Sequence, residues 1–388
     1  MTPPPTTDPL GLLEPSLVPG NDGLGPLAGT HERRSRRWRE LLVWSATSVP
    51  VALLLTIGIA FGPQGINFLS PATLALLDPV VPVALAALGV LVGLSVNGRR
   101  TDDLRTLAAA CLAASITLLV VSAGFGVLAL TTMPQAFSTL ILTVGICAAT
   151  SLTLPSGDSL EPRSAATRVI ELGVLLPIVA GGLMLAWLRA GSVAGGSVLL
   201  AHACGVTLAL AAAAWLLLTR ASSETEERVF AVSALLLVGG VAAALSLSAL
   251  FGGLVAGGFW RYAGRHPRET IRRDVLFVQH PLLVLVLLVA GARADLSPVI
   301  LGLGVGYVVL RVAGQLIAAT VARQVGGMNA PRDLGLHLLP PGVFGVGFAL
   351  NGLSVLGADG SILLAVVVVG TIGSELVAAL WPPRSASE

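Results

Sequence analysis

Lysine is absent from this chain; all 23 basic residues are arginine. Charge of either sign is scarce: 11% of the 388 residues are charged, against roughly a quarter in an average soluble domain. A soluble fold of this size needs far more polar surface. A soluble enzyme, a nucleic-acid binder and a disordered protein are therefore excluded. Cysteine is rare as well. Cys111, Cys147 and Cys204 each lie inside an apolar run, which speaks against a disulfide framework. No C-x-x-C or H-E-x-x-H spacing marks a metal site, and the five histidines are scattered.

What fills the chain is apolar. Hydrophobic residues make up 54%, and the mean hydropathy is +0.87. The 45 glycines fit membrane helices, whose small residues let backbones approach closely. The class is an all-α polytopic membrane protein. A span needs about 20 apolar residues, which predicts about twelve transmembrane helices. They lie near 41–61, 80–97, 105–130, 136–153, 166–188, 196–218, 229–245, 247–260, 274–292, 298–320, 333–355 and 361–381. The joint between the seventh and eighth, Ala244 to Ser248, is the weakest cut.

Arginine placement tests that segmentation. Residues 1–40 read as a disordered tail rich in Pro, Thr, Gly and Leu, ending in a basic stretch from His31 to Glu40. That stretch anchors topology or binds anionic lipid. With the N-terminus inside, all the arginines but three fall in cytoplasmic loops and inner helix ends. Arg189 and Arg293 lie outside, and Arg311 lies deep in a span. Merging segments seven and eight would throw the arginines of 261–273 outside, against the positive-inside rule. Both termini are then cytoplasmic, with 41–381 as the membrane domain and 382–388 as a short tail. Arginine without lysine fits a GC-rich bacterial coding bias, and hence a bacterial inner membrane.

The segments pair across the chain. Spans four and eleven both carry helix breakers: Thr150, Ser151 and Pro155 in one, Pro340, Pro341 and Gly342 in the other. Span five carries Glu171 and span twelve Glu375, and spans two and nine end in similar polar turns. Each pair runs in opposite orientation. This predicts inverted-topology repeats with two discontinuous helices, whose breaks meet near the midplane to form a binding site.

Several motifs carry a family resemblance over about 41–381. They are Gly58-Ile59-Ala60-Phe61-Gly62-Pro63, Val90-Leu91-Val92-Gly93-Leu94, the run from Leu245 to Gly257, and the run from Leu287 to Asp295. With Arg311 in span ten and Pro340-Pro341-Gly342-Val343-Phe344 in span eleven, their order resembles the second monovalent cation:proton antiporter family, which includes the glutathione-gated potassium efflux systems. The resemblance implies exchange of Na⁺ or K⁺ for protons by alternating access and a homodimer, with no cofactor; an intramembrane enzyme is not expected, since no span shows a Ser/His, paired Asp or His/Glu metal constellation. It also implies that spans three to five and ten to twelve form a core that moves against the rest. The ion-site pattern departs from the family. Where members carry a polar-acidic pair before the span-five proline, this chain has Glu171-Leu172 before Pro177. Where they carry a glutamate in span eleven, it has Val343.

Glu171 is the candidate proton and cation carboxylate. A charge at a helix centre costs about 2.5 kcal/mol or more, so it calls for a function or a partner. Thr150 and Ser151 are candidate oxygen ligands, alongside the carbonyls of a broken helix, or form a Ser/Thr bend that satisfies its own backbone. Arg311 stays charged at physiological pH. It either pairs with Glu171 or ligates the carbonyls of the broken helices, and Gln315 shares its face at i+4. Glu375 is a gate or a packing residue. His280, before Pro281, is a proton relay or a hydrogen-bonded core histidine. Pro341 and Gly342 shape the span-eleven break. Asp295 is expected to cap the span-ten helix.

Overall fold

The computed structural model describes residues 51–95, 101–132, 138–151, 169, 171–245, 248–263, 265–326, 334–340 and 342–381. The 1–40 tail with its basic stretch, residues 41–50, Pro155, Pro341 and the 382–388 tail lie outside the described residues.

The described chain folds into fourteen helices. They are α1 (Val51–Phe61), α2 (Pro71–Leu77), α3 (Val80–Ser95), α4 (Thr101–Thr132), α5 (Ser138–Ala148), α6 (Leu175–Ala190) and α7 (Val193–Arg220). The second half holds α8 (Glu224–Ala244), α9 (Ala249–Ala263), α10 (Arg265–Arg293), α11 (Pro298–Gly326), α12 (Leu334–Leu338), α13 (Val343–Leu356) and α14 (Ala358–Leu380).

Every one of the twelve apolar segments holds a helix. Seven helical stretches are long and apolar enough to cross a membrane on their own: 105–130, 171–190, 193–220, 225–244, 271–293, 298–324 and 358–380. The remaining segments hold the shorter α1, α3, α5 and α9, and the α12–α13 pair. The joint at 244–248 is a real break, because α8 stops at Ala244 and α9 starts at Ala249. One helix is absent from the hydropathy reading. α2 is a short segment bent by 45° from α3. Its start is coded locally: Ser70 Oγ accepts from Thr73 N at 3.3 Å, and Pro71 fills the first position, where no N–H is needed.

The helices pack in two groups. α4, α5, α11, α12, α13 and α14 pack chiefly on one another, as do α1, α3, α7, α8, α9 and α10, while α6 touches both. Lipid tails are as apolar as the side chains, so close backbone approach has to hold such helices together. α3 and α9 show this best. A Cβ on Gly89 would sit 2.2 Å from the Leu250 carbonyl, and one on Gly253 would sit 2.0 Å from that of Ala86. In the same group, buried Trp260 of α9 donates from Nε1 to the Ala211 carbonyl of α7 at 2.8 Å.

Two expectations need correction. Asp295 does not cap α11. Ser297 does, its Oγ accepting from Ile300 N at 3.3 Å, because the cap must sit immediately before Pro298. Asp295 Oδ1 instead accepts from Gln64 Nε2, and Gln64 Oε1 accepts from Leu296 N at 3.0 Å, which ties the loop after α1 to the α10–α11 turn. His280 is not a core histidine. It stands on the exposed side of α10, while Gln279 beside it is buried.

Candidate functional site at two broken helices

The predicted fourth span stops short. α5 ends at Ala148, and Thr150 and Ser151 leave the helix as buried residues. The Thr150 hydroxyl donates back to the Cys147 carbonyl at 2.8 Å, satisfying an orphan acceptor at the helix end. The eleventh span is interrupted as well. α12 ends at Leu338, and α13 restarts at Val343 from Gly342, with no side-chain cap.

The two breaks cross. A Cβ on Gly345 would lie 2.6 Å from both the Cys147 carbonyl oxygen and Thr150 Oγ1. One on Gly342 would lie 2.9 Å from the Ser151 carbonyl oxygen. Only glycine lets the start of α13 lie this close to the end of α5.

Arg311 reaches the crossing from α11. It is 2% exposed, and its Nη2 donates to the Thr150 carbonyl at 2.7 Å and to the Pro340 carbonyl at 3.4 Å. One turn earlier on α11, the buried Tyr307 hydroxyl lies within hydrogen-bonding reach of the guanidinium. Of the two readings of Arg311 from sequence, the structure draws the ligation of broken-helix carbonyls. The electrostatics explain it: the C-terminal ends of α5 and α12 each carry partial negative charge, and the guanidinium faces both. A fixed cation can thus be held in the membrane by dipoles. Among the described residues its Nε has no hydrogen-bond partner.

Beside the crossing lies a cavity of about 10 Å³, about the space that holds one water molecule. Its polar lining is Ser151, Thr117 of α4 and Gln315 of α11, which is 3% exposed. Val169 and Gly173 line it too. Glu171 lies between these two in sequence, half-buried at the entry to α6, and is not itself one of the lining residues. The structure therefore brings together Thr150, Ser151, Arg311, Gln315 and Gly342, with Glu171 on the segment that borders the cavity. Glu375 is elsewhere: its Oε2 accepts from the Ala52 N–H at the start of α1. His280 on α10 takes no part. Among the described residues no group of three or more His, Cys, Asp or Glu could hold a metal ion.

Sequence reasoning missed Tyr307, Thr117 and Gly345. Tyr307 was within reach, since it sits one turn from Arg311 and is one of two tyrosines in the chain. Gly345 follows Gly342 at helical spacing. Nothing in the sequence marks Thr117, which earns its place only through the packing of α4 on α11.

No family model matches this sequence, and no curated protein matches it. Among solved structures, the chain is similar to the sodium proton antiporter MjNhaP1 from Methanocaldococcus jannaschii, solved at pH 8. The TM-score is 0.60 at 16% identity, over 85% of this chain and 89% of that one. The fold is that of a sodium/proton antiporter.

Proposed function

We propose that this protein is a secondary transporter that exchanges a monovalent cation, Na⁺ or K⁺, for protons by alternating access. The observation that carries this reading is the crossing of two broken helices, bridged by Arg311 through the Thr150 and Pro340 carbonyls beside a small, largely apolar cavity to which Ser151, Thr117 and Gln315 contribute polar groups. Discontinuous helices of this kind are how a membrane protein presents unpaired backbone groups to an ion. Similarity to a solved sodium/proton antiporter supports the same class.

In the mechanism, Ser151, Thr150, Gln315 and Thr117 offer neutral oxygens. Glu171, on the bordering segment, is the carboxylate that trades a proton for a cation. One carboxylate gives one charge for one charge, so exchange is electroneutral. Arg311 is a fixed charge that holds the two breaks in register and does not titrate. Inverted repeats, a homodimer, a bacterial inner membrane and cytoplasmic termini belong to the same proposal.

One observation favours a second reading. The described side chains at the crossing (Thr117, Thr150, Ser151, Tyr307, Gln315 and Arg311) include no carboxylate. A fold that had changed its substrate, or had kept a sensory role without transport, would look like this.

Proteoliposomes separate the two. Cation-driven proton movement is measured with Na⁺, K⁺ and Li⁺ from neutral to alkaline pH, for the wild type and Glu171→Gln. Exchange that is present in the wild type and lost in the variant is the expected result. Exchange that survives in Glu171→Gln removes Glu171 from the mechanism. No exchange from folded, inserted wild-type protein moves the assignment to the second reading.

A further inference from the structure

The two helix groups meet along few lines, chiefly where α14 lies on α1 and where α10 meets α13 and α14. Several side-chain hydrogen bonds between helices stay within one group. Trp260 joins α9 to α7, Arg261 Nη1 joins α9 to the Leu94 carbonyl of α3, and Arg311 joins α11 to the end of α5. The bond made by Glu375 runs from one group to the other. It projects from α14, is half-buried, and accepts from the Ala52 N–H at the first turn of α1, next to the Val51 N–H.

These amides need a partner. The first turn of any helix leaves its N–H groups without intrahelical acceptors. In the sequence Pro50 stands directly before α1, and α1 itself, VALLLTIGIAF, has no acidic residue in its first turn. The Ala52 N–H finds its acceptor on a residue 323 positions away.

We propose that Glu375 is a proton-operated latch between the two helix groups: ionised, it holds the first turn of α1 against α14, and protonated, it releases it. An ionised carboxylate accepts on both oxygens and is attracted to the positive end of the α1 dipole. On protonation it loses that charge, and one oxygen becomes a donor facing amides that can only donate. Of the elements packed on α14, α1 and α13 carry no titratable side chain and α5 carries Cys147. α11 carries Tyr307, Arg311 and Arg323, and α10 carries its arginines with His266, Glu269, Asp274 and His280. The Glu375 carboxylate accepts from the Ala52 N–H of α1. The latch extends the exchange reading, in which the two groups move past one another. It adds a second proton-binding carboxylate, one that gates movement and does not carry the ion.

Hydrogen–deuterium exchange on the full chain in lipid nanodiscs tests this without any transport. Protection of the Val51 and Ala52 amides, corrected for intrinsic exchange, is followed from alkaline to acid pH. The wild type should lose protection by about tenfold on acidification. Glu375→Gln should show one intermediate level at every pH, and Glu375→Asp should keep a pH-dependent loss. Amides of α9 facing α3 report that each variant is folded. Wild-type protection that does not change with pH, or a Glu375→Gln profile that follows the wild type, overturns the latch. If Glu375→Gln does not fold, the wild-type profile decides alone. Glu171→Gln should keep the wild-type latch profile. An intact latch in a protein that exchanges no cation would leave the latch standing and the exchange reading refuted.

Discussion

Replacing Gly345 by alanine adds one methyl group where the structure leaves no room. The new Cβ would sit 2.6 Å from the Cys147 carbonyl oxygen and 2.6 Å from Thr150 Oγ1. Ordinary contact begins beyond 3.4 Å, so α13 must move off α5 by several tenths of an ångström or more. Neither neighbour yields easily. One is helix backbone, and the other is a hydroxyl already bonded to that same carbonyl at 2.8 Å. Overpacking of this kind costs about 1–3 kcal/mol. The shift also acts where Arg311 spans Thr150 and Pro340, and displacement of a functional group by about 1 Å can cost on the order of a hundredfold in rate. Gly345→Ala should therefore lower both the thermal midpoint in detergent and the rate of cation–proton exchange. The control is the same chemical change at Gly302, which lies inside α11 with nothing within 4 Å of an added Cβ. There alanine should be neutral or stabilising, by about 0.5–1 kcal/mol, because it favours the helix over glycine. If Gly345→Ala matches Gly302→Ala in both assays, the crossing is not as tight as drawn and the site argument fails.

Three further outcomes follow from particular contacts. Arg311→Met removes the one nitrogen, Nη2, that donates to both carbonyls, and leaving a buried carbonyl unpaired costs about 1–3 kcal/mol; a lowered thermal midpoint with reduced exchange is expected, and an unchanged protein would show that the bridge does not matter. Ser297→Ala should cost about 1 kcal/mol and speed hydrogen exchange at Ile300, as loss of a helix cap does. Asp295→Ala should leave the start of α11 intact, which separates the two residues as candidate caps.

The contrast between Ser297 and Asp295 shows where sequence reading goes astray. Both residues precede α11, and both are good capping types. Which one caps depends on where the first helical turn begins, and Pro298 decides that. Glu375 makes the same point at long range. Its residue type and its place in a span marked it as a gate or a packing residue, but its partner is the backbone of α1, which carries no side-chain signal at all. Arg311 lies between these cases. Its depth and its permanent charge were legible, and so were both helix breaks. That it would satisfy carbonyls was one of two open readings, and only the crossing of α5 with α13 separated them.

Composition and hydropathy by themselves determined the membrane class, the twelve apolar segments and the break between α8 and α9. The reason is that the bilayer acts as a solvent on each segment separately, and its demand for apolar length and for arginine on one side is written locally. What only the tertiary structure decided is which backbone groups the breaks leave open and what fills them: Arg311 on the Thr150 and Pro340 carbonyls, Glu375 on the first amides of α1, and Gly342 and Gly345 under the end of α5. Backbone carbonyls and amides are the same at every position, so no residue letter records which of them will lack a partner until the helices have packed.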